Sequence, residues 1–314
     1  MKVSVVVCTY NGEKYISDQL KSIVAQTRKV DEIILCDDNS TDQTVDIADG
    51  ILKESGIPYR FIVRNKNVGV VENFYSGIME AQGDYIFTCD QDDIWELNKV
   101  EIFSKEAGRS SKLLYFSNGY IVDSDGETVI GDLWKSYLFD FTNSSNMTKV
   151  LLNHCVVTGA AMMISKDIIH IAGRIPDGWL HDSWFAIIAS LNDSIVPINN
   201  KTFRYRQHSN NVVGTRERNV KAKIQSWLKN FQVLKRVRTK EYIRYKALND
   251  VDSPKYNKEI NGCIEFWHDL TMIENSGLLR SIKIVMRHQL NGDYKKYQYG
   301  FRSSFRDFIS CFSR

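Results

Sequence analysis

The residues best suited to chemistry in this 314-residue chain stand in Cys89-Asp90-Gln91-Asp92-Asp93-Ile94-Trp95, directly after the apolar run Tyr85-Ile86-Phe87-Thr88. Carboxylates crowded at the end of a buried strand repel one another, which costs free energy unless a cation sits among them. In extended backbone, positions i and i+2 point the same way, so Asp90 and Asp92 are expected to project together. Paired oxygen donors suit Mg2+ or Mn2+, which are commonly held by one or two carboxylates plus substrate phosphates. The expectation is a metal-assisted phosphate or diphosphate site. The plainer alternative is an acidic turn leading into a helix cap.

Such a site needs elements to position it. Residues 3–8, 32–36, 59–63 and 84–89 are apolar and β-branched, and helix-like stretches at about 13–25, 41–54 and 71–82 separate them. This alternation predicts βαβ units and a parallel sheet covered on both faces. Ser40-Thr41-Asp42-Gln43 reads as a capping box opening the second helix. In open parallel sheets, ligands bind beyond the carboxyl ends of the strands. Polar signals fall at three such ends: Thr9-Tyr10-Asn11-Gly12, Asp37-Asp38-Asn39-Ser40 and Asp90–Asp93. Taken alone, the first could be a simple turn and the second a helix N-terminus. A receiver-type signalling domain would carry its paired acids after the first strand, which is not the order here.

Farther along, a helix is expected from Trp95 to about residue 107. Strands are expected at 113–117, 119–123 and 160–165, a helix at 181–191, and short strands at 195–198 and 201–206. Residues 132–150 read as an irregular aromatic loop, a length often functional. From about 217, helix-period segments dominate, at 219–248, 256–275, 277–290 and 293–310.

The composition, 43% apolar and 25% charged, is that of a globular protein. The net charge of +3 hides an asymmetry. Residues 1–214 carry 20 Lys/Arg against 28 Asp/Glu, a net of −8, and residues 215–314 carry 21 against 10, a net of +11. Anionic partners are expected for the basic part. No CxxC pair occurs among the six cysteines; Cys8, Cys36 and Cys89 read as small buried hydrophobes in a reducing compartment. The chain opens directly on a strand-like segment, so no secretory leader is expected. No apolar stretch approaches the roughly 18 residues of a membrane span. A cytoplasmic location follows as the expectation.

Val3–Gly12, Asp37–Asp42 and Cys89–Trp95, in this order and spacing, resemble the family-2 glycosyltransferases of GT-A fold over roughly residues 1–215. Gln91–Trp95 is most similar to a rhamnosyltransferase-like branch. The resemblance implies an α/β, Rossmann-like catalytic domain over 1–215, with a mostly parallel central sheet and helices on both faces. A basic helical region, 216–314, follows. It further implies that Thr9, Tyr10 and Glu13 line a nucleotide pocket and that Asp38 bonds a uracil or thymine base. Asp90 would lie near the ribose and diphosphate, and Asp92 would bind the metal. Asn67 and Gly69 match an Asn-x-Gly turn beside the donor. His181-Asp182-Ser183-Trp184 resembles the family's acidic motif, with His181 in place of an acid and Trp184 one residue early. Asp182 is then the candidate general base; the alternative is a helix N-terminal acid stabilised by the helix dipole. Arg204-Tyr205-Arg206-Gln207-His208 is similar to the family's Gln-x-His segment. There His208 would ligate the metal or touch the diphosphate, and Arg204 or Arg206 would neutralise it.

The expected activity is metal-dependent, inverting transfer of a sugar from a nucleotide-diphosphate donor, best read as L-rhamnose from dTDP-rhamnose. The acceptor would be a saccharide or a polyprenyl-linked saccharide of a bacterial surface polysaccharide. A UDP-hexose or UDP-N-acetylhexosamine donor, and a non-catalytic sugar-nucleotide scaffold, are the alternatives. A nucleotidyltransferase would need a Gly-rich loop after the first strand, and a P-loop hydrolase its Gly-Lys-Ser/Thr; neither occurs. In the basic region, Lys221, Lys223, Lys229, Lys235, Arg236, Arg238 and Lys240 punctuate Ile224, Trp227, Leu228, Phe231, Val233 and Leu234 at helical spacing. Leu278, Leu279 and Ile282 similarly alternate with Arg280, Lys283 and Arg287. Two readings stand: attachment to the inner, anionic face of the cytoplasmic membrane, or packing, including as a homodimer. No motif supports nucleic-acid binding.

Overall fold

A computed structural model describes residues 1–140, 146–208 and 231–312. The chain divides into two compact units: Met1–Ser145, Val156–Ile175 and Leu180–Gly214; and Asn146–Cys155, Pro176–Trp179 and Thr215–Arg314. Two short segments from within the first 215 residues thus belong to the second unit.

The first unit is a sheet with helices. Its strands are β1 (Val3–Thr9), β2 (Glu32–Asp37), β3 (Tyr59–Val63), β4 (Tyr85–Asp90), β5 (Ile94–Trp95), β6 (Leu114–Val122), β7 (Val129–Asp132), β8 (Met162–Ser165) and β9 (Ile195–Arg206). They lie in the order β3-β2-β1-β4-β8-β6-β9-β5, with β7 on β6. β1 through β4 are parallel. β8 then runs antiparallel to both β4 and β6, so the sheet is mixed beyond the first four strands. Every residue of β1 is buried, as a strand covered on both faces requires.

Helices α1 (Ile16–Val24), α2 (Thr44–Ser55), α3 (Val70–Glu80) and α4 (Lys99–Arg109) follow the first strands. α1 buries Ile16, Gln19, Leu20 and Ile23, the i, i+3, i+4, i+7 stripe of a sheet-covering helix. Both α1 and α2 start about three residues later than expected. The capping box is not formed: Ser40 Oγ donates to Asp37 Oδ1 (2.6 Å), and Gln43 N donates to Glu13 Oε2 (3.0 Å). Those polar groups join loops to one another instead of capping.

The region expected to be irregular contains helices α5 (Leu133–Ser136) and α6 (Met147–Asn153). Asp132 and Asn146 cap them, accepting from Lys135 N and Lys149 N. Residues 141–145 lie outside the described chain. β6 and β9 are each continuous where two short strands were expected. Gly119 permits this: a Cβ there would come within 2.5 Å of the Phe203 ring, and the register shifts beside it instead of breaking. Two further helices, α7 (Ile168–Ala172) and α8 (His181–Leu191), complete the unit, and α8 is buried at every position except Asp182.

The described α-helices of the second unit, besides α6, are α9 (Phe231–Lys246), α10 (Asn257–Met272), α11 (Leu278–Leu290), α12 (Asp293–Tyr297) and α13 (Phe301–Ser310). The segment expected at 293–310 is split at Gly300, whose φ of 65° suits glycine. Lys221 through Lys229 lie outside the described residues. Phe266 is the hub, its ring meeting Trp267, His288, Tyr294 and Tyr297. Among the described residues no helix is long and apolar enough to cross a membrane.

Candidate active site

Loops leaving the carboxyl ends of β1, β2 and β4 are tied together by side chains. The Gln91 amide clamps Tyr10, accepting from its N–H (2.8 Å) and donating to its carbonyl (3.1 Å). A Cβ on Gly12 would lie 2.2 Å from Gln91 Oε1, so a side chain there would displace the clamping amide. Asn11, at φ 48°, accepts from Thr41 N through Oδ1 (2.9 Å). Glu13 N donates to Asp42 Oδ2 (3.1 Å). Thr9 is buried and its hydroxyl donates to Asp37 Oδ1 (2.7 Å). Tyr10 is 49% exposed, so its ring is the open surface of the first loop.

Asp38 is buried, and its two carboxylate oxygens accept from Val68 N (2.7 Å) and Gly69 N (2.9 Å). Asn67 Nδ2 reaches the Asp38 carbonyl at 3.5 Å. The Asn-x-Gly turn and Asp38 are therefore one device. Gly69 sits at φ 87°, where a side chain would be strained.

β4 ends at Asp90 and the chain bends, so the i, i+2 alternation does not extend to Asp92. Asp92 nevertheless bears on its neighbour. Burial, then the charges of Asp92 and Asp182, push the Asp90 carboxyl up to about 7, against the pull of Lys99. Asp92 Oδ2 pairs with His208 Nε2 at 2.8 Å, and the His208 ring stacks on Tyr15 at 4.7 Å. Asp93 is buried; its Oδ1 accepts from Arg206 N (3.1 Å) and its Oδ2 has no hydrogen-bond partner. Burial, then the charges of Asp92 and Asp90, hold its carboxyl well above the usual range.

Arg206 is only 2% exposed. Its Nε donates to the Asp92 carbonyl (2.9 Å), its Nη1 to the Ser124 carbonyl (2.9 Å), and its Nη2 meets Asp18 Oδ2 (3.1 Å). The guanidinium holds the acidic loop instead of facing outward to a diphosphate. Arg204 is partly exposed and pairs with Glu96 at 2.9 Å.

Asp182 lies in the first turn of α8. Its Oδ1 accepts from Ser183 N (2.5 Å) and its Oδ2 from Gly159 N (3.2 Å). His181 is buried, stacked on Phe74 at 3.9 Å, and neither ring nitrogen has a partner. Burial holds its imidazole below the usual range, against the pull of Asp182. His181 therefore packs as a neutral ring.

Lys99 was not anticipated as part of the site. It is fully buried, donates to the Ala160 carbonyl at 2.5 Å, and lies 4.2 Å from the Trp95 ring centre and 4.9 Å from that of Phe203. Burial draws its ammonium down to about 7, against the pull of Cys89, Asp93 and Asp90. The sequence held a signal, since Lys99, Phe103 and Ala107 share the buried stripe of α4. Thr88 Oγ1 donates to the Gly159 carbonyl (2.6 Å). Lys99 and Thr88 together fix the turn whose Gly159 N–H holds Asp182.

Asp92 and His208 offer one oxygen and one nitrogen donor side by side, and Lys99 and Arg206 are buried cations beside the crowded acids. Among the described residues, no group of three His, Cys, Asp or Glu converges to hold a metal, so Asp90 is not gathered with Asp92 and His208 into a three-residue set. Two protein donors with the remaining positions left to phosphate oxygens fit Mg2+ or Mn2+.

Comparison with known proteins identifies the class. The model of glycosyl transferase family 2 matches residues 4–171, more than half of the chain, and the chain belongs to this family. The dTDP-rhamnosyl transferase RfbG of Shigella flexneri is 32% identical over 225 residues, spanning 66% of this chain and 73% of its own. Glycosyltransferase GlyG of Streptococcus pneumoniae serotype 4 is 27% identical, spanning 68% and 73%. Among solved structures, S. aureus TarS 1–349 in complex with UDP-GlcNAc superposes with a TM-score of 0.57 at 16% identity, covering all of this chain and 90% of TarS 1–349. Mannosyltransferase PcManGT from Pyrobaculum calidifontis, in complex with GDP-Man and Mn2+, gives 0.56 at 14% identity, covering 99% and 85%. The fold is GT-A and the protein is a glycosyltransferase.

Proposed function

We propose that this glycosyltransferase moves L-rhamnose from dTDP-rhamnose to a saccharide or polyprenyl-linked saccharide acceptor, with inversion at the anomeric carbon. The observation that carries the chemistry is the Asp92–His208 pair beside Asp90 and Asp182. The rhamnose assignment is supported by the 32% identity to a dTDP-rhamnosyl transferase.

Bound Mg2+ or Mn2+ would supply Lewis-acid stabilisation of the departing diphosphate. Asp92 and His208 would hold it, with Asp90 near enough to feel the charge of Asp92. Tyr10 offers its exposed ring to the base, and Thr9, Glu13, Asp38, Asn67 and Gly69 shape the donor pocket by joining its loops. Arg206 holds Asp92 in place, and Arg204 acts with Glu96 at the rim. Asp182 takes the proton from the acceptor hydroxyl. The acceptor oxygen forms its bond to the anomeric carbon as the bond to the diphosphate oxygen breaks, and the nucleoside diphosphate leaves with the bonding pair. The N–H groups of Ser183 and Gly159 hold the Asp182 carboxylate in a fixed orientation. A lipid-linked acceptor would place the enzyme on the cytoplasmic face of the membrane.

The test is thermal unfolding with dTDP-rhamnose, UDP-sugars and GDP-sugars, each with Mn2+ or EDTA, followed by product analysis. A ligand at about 100 times its Kd adds about 2.7 kcal/mol, a shift of several degrees. Stabilisation by dTDP-rhamnose that EDTA abolishes, with rhamnosyl product of inverted configuration, is expected. Preference for a UDP-sugar would replace the donor and keep the family. Absence of transfer or hydrolysis with every donor would leave a sugar-nucleotide scaffold.

A further inference from the structure

Helix α13 is built inside out. Its buried residues are Ser303, Ser304, Asp307 and Ser310. Its outward side carries Phe301 at 71% exposure and Phe305 at 49%, with Phe308 partly exposed and Phe312, just beyond the helix, at 57%. These four stand at i, i+4, i+7 and i+11, one face of a helix. Phe301 stacks on Phe305 and Phe308 meets Phe312, forming a continuous aromatic ridge.

The rotation of α13 is locked by its polar face. Asp307 accepts from Arg238 Nη2 (2.9 Å) and from the Tyr294 hydroxyl (3.2 Å), and Ser310 Oγ accepts from Arg238 (2.8 Å). Turning the phenylalanines inward would carry Asp307 and Ser310 away from Arg238 and leave that buried guanidinium with Glu274 as its remaining partner. The outward aromatic face is thus imposed by the packing of the helix.

Neighbouring α11 repeats the pattern. Leu279, Met286 and Leu290 are 77%, 48% and 81% exposed and stand at i, i+7 and i+11. The exposed charges carried by this stretch are cationic, with Glu265 of α10 facing Arg287 at 3.9 Å as the neighbouring exposed acid. Between Leu278 and Phe312 the chain carries seven Lys/Arg and two acids. Both acids are turned inward: Asp307 is fully buried against Arg238, and Asp293 pairs with His288 at 2.8 Å. Arg280, Lys283, Lys295, Lys296 and Arg302 are exposed.

We infer that the α11–α13 face, with its Phe301–Phe312 ridge and surrounding Lys and Arg side chains, docks on an anionic lipid bilayer. The ridge supplies the shallow apolar insertion and the cations the attraction to acidic headgroups. A symmetric second copy is the poorer occupant, since it would set one cationic surface against another. The inference gives a specific surface to the membrane location in the proposed function, but it stands on α11 to α13 alone.

The test is flotation of the full chain with vesicles of phosphatidylcholine, or of phosphatidylcholine with an equal part of phosphatidylglycerol. Salt-sensitive binding to the second and not the first is expected. Phe301→Ser with Phe305→Ser, and separately Lys295→Glu with Arg302→Glu, should each weaken it by about tenfold or more. Donor-sugar hydrolysis without vesicles and the unfolding temperature should stay at wild-type levels, because none of these side chains is in the donor site or the core. Equal binding to both vesicles, or binding unmoved by either double variant, overturns the inference. Wild-type dimers that dissociate in the Phe variant, without vesicle binding, would assign the face to a second copy. Hydrolysis is read separately, so a chain that floats but is inert sinks only the catalytic reading, and the converse sinks only this one.

Discussion

The two units treat buried charge in opposite ways. In the helical unit, Arg238 is 1% exposed and neutralised by Asp307 at 2.9 Å and Glu274 at 3.0 Å. His288 likewise sits between Asp269 and Asp293. Burial pushes Asp307 upward, yet Arg238 and Arg306 outweigh it and hold the carboxyl low. In the sheet unit the acids outnumber their cations: Asp90 and Asp93 are raised, and one oxygen of Asp93 has no hydrogen-bond partner. A satisfied ionic network rigidifies a fold. An unsatisfied one stores a demand for a ligand, and it lies at the strand ends, where a donor would bind.

The comparison can be broken from either side. The largest expected effect is on turnover. Asp92→Asn and Asp182→Asn should each lower kcat by about 10³-fold, in the range of lost electrostatic or general-base catalysis. Steady-state rates and unfolding temperatures are the readouts, and near-normal turnover in either variant would remove that residue from the mechanism. Next comes stability in the helical unit. Arg238→Met leaves buried Asp307 with Arg306 as its remaining cation and removes the guanidinium paired with Glu274, so a loss of about 3–5 kcal/mol is expected in denaturant unfolding. Adding Asp307→Asn should recover part of it; no recovery would mean that the pair is not the stabilising element.

The smallest effect sharpens the contrast through pH. Asp90 has a folded value of about 7 against an ordinary 3.8, so between them the folded chain holds a proton that the unfolded chain has released. Stability in EDTA should therefore fall as pH rises through that window. Lys99, drawn down to about 7, acts only above it, and in the opposite sense. Asp90→Asn should make the slope shallower; an unchanged slope would show that Asp90 titrates normally.

Much of the sheet unit was legible beforehand. β1 to β4 and α8 fall close to where apolar runs and helical spacing put them, because parallel strands and core helices bury what they are made of. Helix starts were less legible. Ser40, Asp42 and Glu13 are good capping types, but tertiary partners took their hydrogen bonds. α5 and α6 were missed although Asp132 and Asn146 each cap at the expected spacing, because the aromatic content of that stretch outweighed its cap signals.

The chemistry of each strand end, the acidity of residues 90–93 and the cationic excess after residue 214 are properties of composition and local order, and the sequence by itself determined them. Tertiary structure alone decided that His208 meets Asp92 across 116 positions, that Gly159 holds Asp182, that Arg206 is buried behind the acidic loop, and that α13 turns its phenylalanines outward. The reason is physical. Local pattern reports what a residue prefers to bury, whereas the pairing of distant segments settles which polar groups find partners. Where a buried Arg–Asp pair and a row of rings compete for the same core, the uncompensated charge costs more, and the rings go outside.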